Sequence, residues 1–376
     1  MKTAIVLSGG GSKGSYQLGV WKALKKLHIK YDIVTGTSIG ALNGVLMTEK
    51  SYFKAKRIWK TLNLEYLFNK LPQSNSNIDV LKLYGDSLIK EGGMDIKKIE
   101  SIIEKYLNKK KFYKSKINFG LITYNFTTKK PLILSKNEIP KDKLVDYLMA
   151  SATCFPAFKM KEIDGDKYID GGYYDNLPIE LAINLGADNL IIVDLNDPGL
   201  KRKPSKQVKH IIIKPRNNIS FFLNFNKKDA KTNIKYGYND TMKAFKKLDG
   251  NKFTFKKNSI SKYYLKKKDK IIDNSEAKFL SSIEQLGKIF KLDESKIYSC
   301  KKFIKILKQK IKKEEVITKE DIKNIKDLVK INSKTIILFF LSELEKGKKH
   351  KNLSMVFKKE YKLAKYLQIL GVKYGK

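Results

Sequence analysis

Residues 3–48 read TAIVLSGGGSKGSYQLGVWKALKKLHIKYDIVTGTSIGALNGVLMT, and this stretch decides the fold. Thr3 to Ser8 is a short apolar run of β type that stops at three glycines. Ser15 to Leu27 then places apolar residues at helical spacing, so the first unit is strand, glycine loop, helix. Tyr31 to Thr35 is a second brief strand ending at Gly36, and Ile39 to Thr48 reads as a helix beginning just past Ser38. The same strand–loop–helix unit therefore occurs twice. Parallel strands need crossover connections, so the pattern predicts an α/β fold with a largely parallel sheet.

Outward from this stretch, residues 52–110 read as mostly helical, with polar breaks at LPQSNSN and EGG that predict mobile connections, the pattern of a cap or lid. INFGLITYNFTTKKPLILS predicts two strands around a turn at Thr127 to Lys130, and DKLVDYLMASA a helix. KMKEIDGDKYIDGG predicts a hairpin turning at Asp164 to Asp166, followed by a helix in LPIELAINLGA and strands in NLIIVDL and VKHIIIK. Beyond about residue 215 the chain changes to lysine-rich, helix-compatible stretches such as KKFIKILKQKIKKEE. The expected division is residues 1–215 as the α/β domain, with 52–110 as its possible helical cap or lid, and 216–376 as a basic, mainly helical accessory region.

With 376 residues, 42% of them hydrophobic, the chain is long enough to bury a core and a pocket. The apolar run at the N-terminus, Ala4 to Leu7, is too short for a secretory signal. Ile336 to Leu341 falls far below the roughly 20 residues that span a bilayer. Cys154 and Cys300 offer no disulfide framework and no metal-ligand spacing, which fits a reducing compartment. The expected location is the cytoplasm, with peripheral attachment to the inner membrane face.

The net charge is +40 and unevenly placed. Residues 1–200 hold 30 Lys+Arg against 21 Asp+Glu, and residues 201–376 hold 48 against 17. Such a field favours anionic partners, and an acidic lipid surface is the expected one. Nucleic acid is not, because Arg57, Arg202 and Arg216 are the only arginines and bidentate readout of bases and phosphates favours Arg. Abundant Lys, Ile and Asn also fit a codon bias. No oligomeric state follows from the sequence.

Ser38 sits in Gly36-Thr37-Ser38-Ile39-Gly40, the G-x-S-x-G arrangement of a nucleophile on a tight turn, although a plain glycine connection reads the same way. Gly9, Gly11 and Gly14 satisfy G-x-G-x-x-G. The acid that would hold a dinucleotide's ribose is missing from the end of the second strand, since Asp32 stands at its beginning. Lys13 precedes Gly14, so the loop is no P-loop either. It does supply unhindered backbone N–H groups at a helix N-terminus, and these suit a developing negative charge. A serine also needs a base. His28 ends the first helix, His350 lies in a lysine-rich tail, and His210 starts a strand, the wrong end for this face of the sheet. Asp170 in YIDGGYYDN, presented on a turn by Gly171-Gly172, is the better candidate. Asp164 and Asp166 read as a solvated hairpin tip and Asp175 as a helix cap.

Gly9-Gly10-Gly11-Ser12-Lys13-Gly14, Gly36-Thr37-Ser38-Ile39-Gly40 and Asp170-Gly171-Gly172, in this order and spacing, resemble the patatin-like phospholipases. ASATCFPAF (150–158) and DNLPIELAINLGADNLIIVDL (175–195) also resemble blocks of that family, and the resemblance covers about residues 1–215. It implies a three-layer α/β fold and a serine–aspartate dyad with Ser38 as nucleophile and Asp170 as base. Gly9, Gly10, Gly11, Lys13 and Gly14 would form the oxyanion loop, Gly36 and Gly40 the nucleophile turn, and Gly171 and Gly172 the base turn. The implied activity is hydrolysis of carboxylic esters of phospholipids or lysophospholipids, without metal or cofactor. A general carboxylesterase, or a non-catalytic membrane- or partner-binding protein that keeps the fold, are the alternatives.

Overall fold

The computed structural model describes residues 1–67, 74, 76–219, 221–272, 275–314, 332–348 and 350–374. Two compact units are present, Met1–Ala244 and Phe245–Lys376.

The first unit is built on an eight-stranded sheet. β1 (Thr3–Leu7) lies between β2 (Ile33–Thr37) and β7 (Asn189–Val193), and β8 (Lys209–Ile213) continues beyond β7, all parallel. On the other side β2 pairs in parallel with β3 (Asn118–Asn125). β4 (Lys130–Ser135) and β6 (Asp166–Asp170) are antiparallel to β3, and β5 (Lys161–Ile163) closes the edge against β6. Ala4–Leu7 and Ile33–Thr37 are buried throughout, which is why they read as continuous apolar or small residues rather than an alternation. Helices α1 (Ser15–Lys26) and α2 (Ile39–Thr48) follow β1 and β2, as the repeated unit predicts.

Among the described residues between 52 and 114 are α3 (Tyr52–Thr61), α4 (Leu64–Leu67), α5 (Asn77–Glu91), α6 (Lys97–Tyr106) and α7 (Lys109–Lys114). The EGG break is an ordered helix end, not a loose connection. Gly92 takes the left-handed cap conformation at φ 72°, its amide donates to the Leu88 carbonyl, and Met94 then bridges to Phe158. Most of the LPQSNSN break lies outside the described residues. After β4 come α8 (Leu144–Ala152) and α9 (Ile179–Asn184).

The expected boundary at 215 falls inside the first unit. α10 (Lys227–Ala244) packs across α1 with the two backbones touching, since a Cβ on Gly237 would stand 2.0 Å from the Tyr16 carbonyl oxygen. Tyr16 also donates its hydroxyl to Asp240 at 3.0 Å in this buried seam. A lysine-rich helix compatible with either unit is thus claimed by one through small residues and a buried hydrogen bond.

The second unit has its own core, with Phe253, Phe255, Phe279 and Phe303 essentially without solvent exposure. It is mainly helical, as expected, with helices at Ser259–Lys267, Glu276–Ile289, Cys300–Ile311, Ser333–Glu345, Lys351–Val356 and Lys358–Ile369. It also holds a small sheet of Leu248–Asp249, Thr254–Lys256 and Ile297–Tyr298. Strands of two or three residues are too short to leave a period in the sequence. Among the described residues no helix is long and apolar enough to cross a membrane.

Candidate active site

Strand register brings Ser38 and Asp170 together. β2 pairs with β3 as far as Thr37 opposite Ile122, and β6 begins on β3 with Asp170 opposite Thr123. β4 fills the other edge of β3 over Gly120–Asn125, so β6 takes up the edge that β2 has just left. The end of β6 therefore abuts the end of β2. Gly171 makes the join possible, because a Cβ there would lie 2.1 Å from the Ile122 carbonyl oxygen.

Ser38 occupies φ 57°, ψ −130°, a conformation disfavoured for any residue with a Cβ, and α2 starts at the next residue. Gly36 and Gly40 let the turn close, since a Cβ on Gly40 would meet the Leu7 carbonyl oxygen at 2.4 Å. The Ser38 amide donates to Ser151 Oγ at 3.0 Å, and that hydroxyl donates to the Ile122 carbonyl at 2.7 Å, tying the strained residue to α8 and β3. Its side chain lines the same cavity as the carboxylate of Asp170.

Asp170 is buried, and burial pushes its carboxyl up from the ordinary 3.8 to about 6, partly opposed by hydrogen bonds from Ser38 and from the Gly172 amide. The Gly172 amide lies 2.7 Å from Asp170 Oδ1 and fixes the carboxylate's orientation. The other candidate bases are engaged elsewhere. Asp175 is also pushed up to about 6 by burial, but its carboxylate accepts the Leu177 amide at 3.0 Å in a local turn, and it is not the expected helix cap, because Pro178 holds the N-cap position of α9. Asp164 pairs with Lys143 and Asp166 accepts from Asn125. His210 is exposed at the start of β8, His28 is exposed after α1, and His350 pairs with Glu343 in the second unit.

The glycine loop divides into amides with internal acceptors and amides without. The Gly9 amide donates to both Oδ1 and the carbonyl of Asn176, each at 3.1 Å. The Lys13 amide closes a turn onto the Gly10 carbonyl, and its ammonium pairs with Asp197 at 2.7 Å. Gly14 packs against Ile39 and Trp59. Among the described residues the amides of Gly10 and Gly11 have no acceptor, and both residues line the cavity that holds Ser38 and Asp170. Their φ values of 150° and 50° turn the chain so that these N–H groups are left over.

The cavity measures about 560 Å³ and lies within the first unit. Its walls are mostly aliphatic and aromatic, and Ile58, Trp59, Leu62, Ile99, Ile102 and Ile103 of the 52–110 segment supply one side. Cys154 also faces it, with a thiol pushed up to about 12 by burial and by Asp170 and Asp197, so the thiolate is scarce at neutral pH.

Four residues of the site carried no sequence signal of their own. Ser151 holds the Ser38 amide, and Asn176 holds the Gly9 amide. Asn43 links the Gly14 carbonyl, Gln17 and the Trp59 indole across the buried base of α2. Asp197 is buried beside Gly10, with one carboxylate oxygen on Lys13 and the other unpartnered among the described residues. Each lies far in sequence from the group it serves.

Residues 5–183 match the family model described as "Patatin-like phospholipase". A lysophospholipase, nte1, of Aspergillus terreus is 30% identical over 205 residues, which is 51% of this chain and 12% of that protein. The human patatin-like phospholipase domain-containing protein 6 is 29% identical over 215 residues, 51% of this chain and 13% of that protein. The chain thus spans a small part of the length of these relatives. VipD of Legionella pneumophila superposes with a TM-score of 0.40 at 16% identity, over 97% of this chain and 86% of that one, a likeness too distant to bear on the assignment. Residues 5–183 of this chain are thus similar to the patatin-like phospholipases.

Proposed function

We propose that the first unit is a lipid acyl hydrolase that cleaves carboxylic esters of phospholipids or lysophospholipids through Ser38 and Asp170. The observation that carries this reading is that Ser38 and the buried carboxylate of Asp170 line one apolar cavity, beside two uncommitted amides at Gly10 and Gly11. In the reaction Ser38 Oγ adds to the acyl carbonyl while its proton passes to Asp170. The Gly10 and Gly11 amides meet the charge that develops on the carbonyl oxygen. Asp170 then returns the proton to the leaving alcohol, and water releases the acyl group from Ser38 by the same route reversed. Burial serves this chemistry directly, since a carboxylate near 6 is a better base than one near 3.8. Lys13 offsets the charge of Asp197, so the acid beside Gly10 does not oppose the oxyanion. The apolar walls suit an acyl chain. In this reading the protein works in the cytoplasm at the inner membrane face, the helices of 52–110 gate the cavity, and the lysine-rich second unit is accessory.

A fluorophosphonate probe is expected to label the wild-type protein at Ser38, and hydrolysis should extend from p-nitrophenyl butyrate to long-chain lysophospholipids and phospholipids. Turnover of the p-nitrophenyl ester alone would leave a general carboxylesterase, and neither labelling nor turnover would leave a binding protein.

The oxyanion role has its own test. A Cβ on Gly11 would stand 2.1 Å from the Phe222 carbonyl oxygen, at a φ of 50° that side chains avoid, so Gly11→Ala must shift the loop. The expected result is a fall in kcat of roughly 10²–10³ with KM little changed, the signature of a donor used in the transition state. Steady-state kinetics on p-nitrophenyl butyrate measure it, and a variant within threefold of wild type would remove Gly11 from the oxyanion hole.

A further inference from the structure

The cavity mouth has one border that is both apolar and exposed. Leu200 and Tyr173 line the cavity yet are 60% and 45% exposed. The Leu200 amide donates to the Gly172 carbonyl at 3.1 Å and the Asn176 amide donates to the Leu200 carbonyl at 2.6 Å, so this loop is fastened to the turn that carries Asp170. Tyr173 donates its hydroxyl to the Phe155 carbonyl, and the Phe155 ring lies 6.3 Å from that of Phe126, itself 44% exposed. Phe126 follows the C-terminal end of β3, the end of the sheet at which Ser38 stands. Leu200, Tyr173, Phe155 and Phe126 are therefore linked in series, from the cavity lining at Leu200 and Tyr173 outward to the exposed Phe126 ring.

Basic residues flank both ends of that series. Lys201, Arg202, Lys203 and Lys206 follow Leu200, and Lys129 and Lys130 follow Phe126, all exposed. Lys201 pairs with Asp194, and Arg202 stacks 3.8 Å above the Tyr174 ring. Among the described residues Lys129, Lys130 and Lys203 have no ionic partner. Apolar side chains exposed at a cavity and bordered by unpaired lysines are the composition of an interfacial site, in which rings and aliphatic groups enter the acyl boundary and ammonium groups meet phosphate.

We propose that this border, from Phe126 to Lys206, is the surface on which the protein docks to an anionic lipid bilayer, so that an acyl chain passes from the bilayer into the cavity without crossing water. The inference rests on the lipid-hydrolase reading for its purpose, but its chemistry stands apart. A protein partner or a nucleic acid would need the basic residues and not the continuity of Leu200 and Tyr173 with the cavity interior. The bilayer uses both.

The test compares the full chain with two triple variants of equal charge change: Lys129→Glu/Lys130→Glu/Lys203→Glu at the mouth, and Lys301→Glu/Lys302→Glu/Lys305→Glu on an exposed face of the second unit. Sedimentation with vesicles of phosphatidylcholine, with or without one-third phosphatidylglycerol, reads docking, and p-nitrophenyl butyrate in solution reads the catalytic centre. Each lysine at an anionic surface is worth about fivefold in partition, and each Glu adds repulsion, so the mouth variant should lose at least about 100-fold in binding to phosphatidylglycerol vesicles. It should keep its hydrolysis of the soluble ester, and the second-unit variant should lose far less binding. Equal losses in both variants, or a mouth variant that binds as wild type does, overturn the proposal. So does wild-type binding that ignores phosphatidylglycerol and salt. Selective loss of binding at the mouth in a protein that never hydrolyses the soluble ester would support the docking surface and reject the hydrolase reading. Replacing Phe126 with Ser, which changes no charge, should by itself weaken vesicle binding several-fold, and no change there counts against the apolar half of the surface.

Discussion

Ser38→Ala is expected to lower ester turnover on the order of 10⁶-fold and to abolish fluorophosphonate labelling, because it removes the attacking atom and leaves everything else in place. The backbone of residue 38 is held at its unusual φ by the Ser151 hydroxyl and by the close packing of Gly40 on β1, neither of which involves Ser38 Oγ. Alanine keeps that turn, and Gly10 and Gly11 still offer their amides. The variant should therefore bind substrate with little change while chemistry stops, which distinguishes loss of the nucleophile from loss of the fold. Circular dichroism and a thermal melt matching wild type complete the measurement. A variant that keeps a tenth of the activity would mean that another group attacks the carbonyl.

Asp170→Asn is expected to cost on the order of 10⁴-fold in kcat, comparable to losing the supporting acid of a serine-hydrolase triad, and also to make the protein more stable at neutral pH. The two effects share one cause. Folding raises the Asp170 carboxyl from 3.8 to about 6, so the fold prefers the protonated acid and ionising it costs stability. Below about 3.8 the acid is protonated in both states and the cost is absent. It grows as pH rises from about 4 to 6, and above 6 it is complete, at most about 3 kcal/mol for a shift of roughly two units. Asparagine keeps an oxygen for the Gly172 amide and carries no charge, so its stability should lack this dependence. Urea midpoints at pH 4 and pH 8 should then show the variant gaining on wild type only at the higher pH. In the wild type, kcat/KM should fall about tenfold per pH unit below about 6, as the base becomes protonated. Wild-type activity that stays flat down to pH 4, or full activity in Asp170→Asn combined with loss in His210→Ala, would move the base elsewhere.

Much of the site was legible because its chemistry is written in local backbone demands. An apolar strand that ends at Gly36-Thr37-Ser38-Ile39-Gly40 can only turn sharply, and Asp170 before two glycines can only be presented on another turn. Helix and strand periods placed the elements around them. Gly9 shows where such reading stops, since its amide looks as free as those of Gly10 and Gly11 until Asn176 arrives from more than 160 residues away. The EGG break looked loose for the same reason, because the strand-like bridge from Met94 to Phe158 joins distant residues.

The amino-acid sequence alone determined the repeated strand–loop–helix unit, the turns that present Ser38 and Asp170, and the basic character of the second half, because each depends on neighbours a few positions apart. The tertiary structure decided that β6 takes over the edge of β3 where β2 ends, which places Asp170 against Ser38. It likewise left the Gly10 and Gly11 amides without acceptors among the described residues, drew residues 216–244 into the first unit, and set Leu200 and Tyr173 around one cavity mouth. Those outcomes depend on which distant backbones pair and how closely they approach, and such pairings are settled only when the whole sheet and its covering helices pack at once.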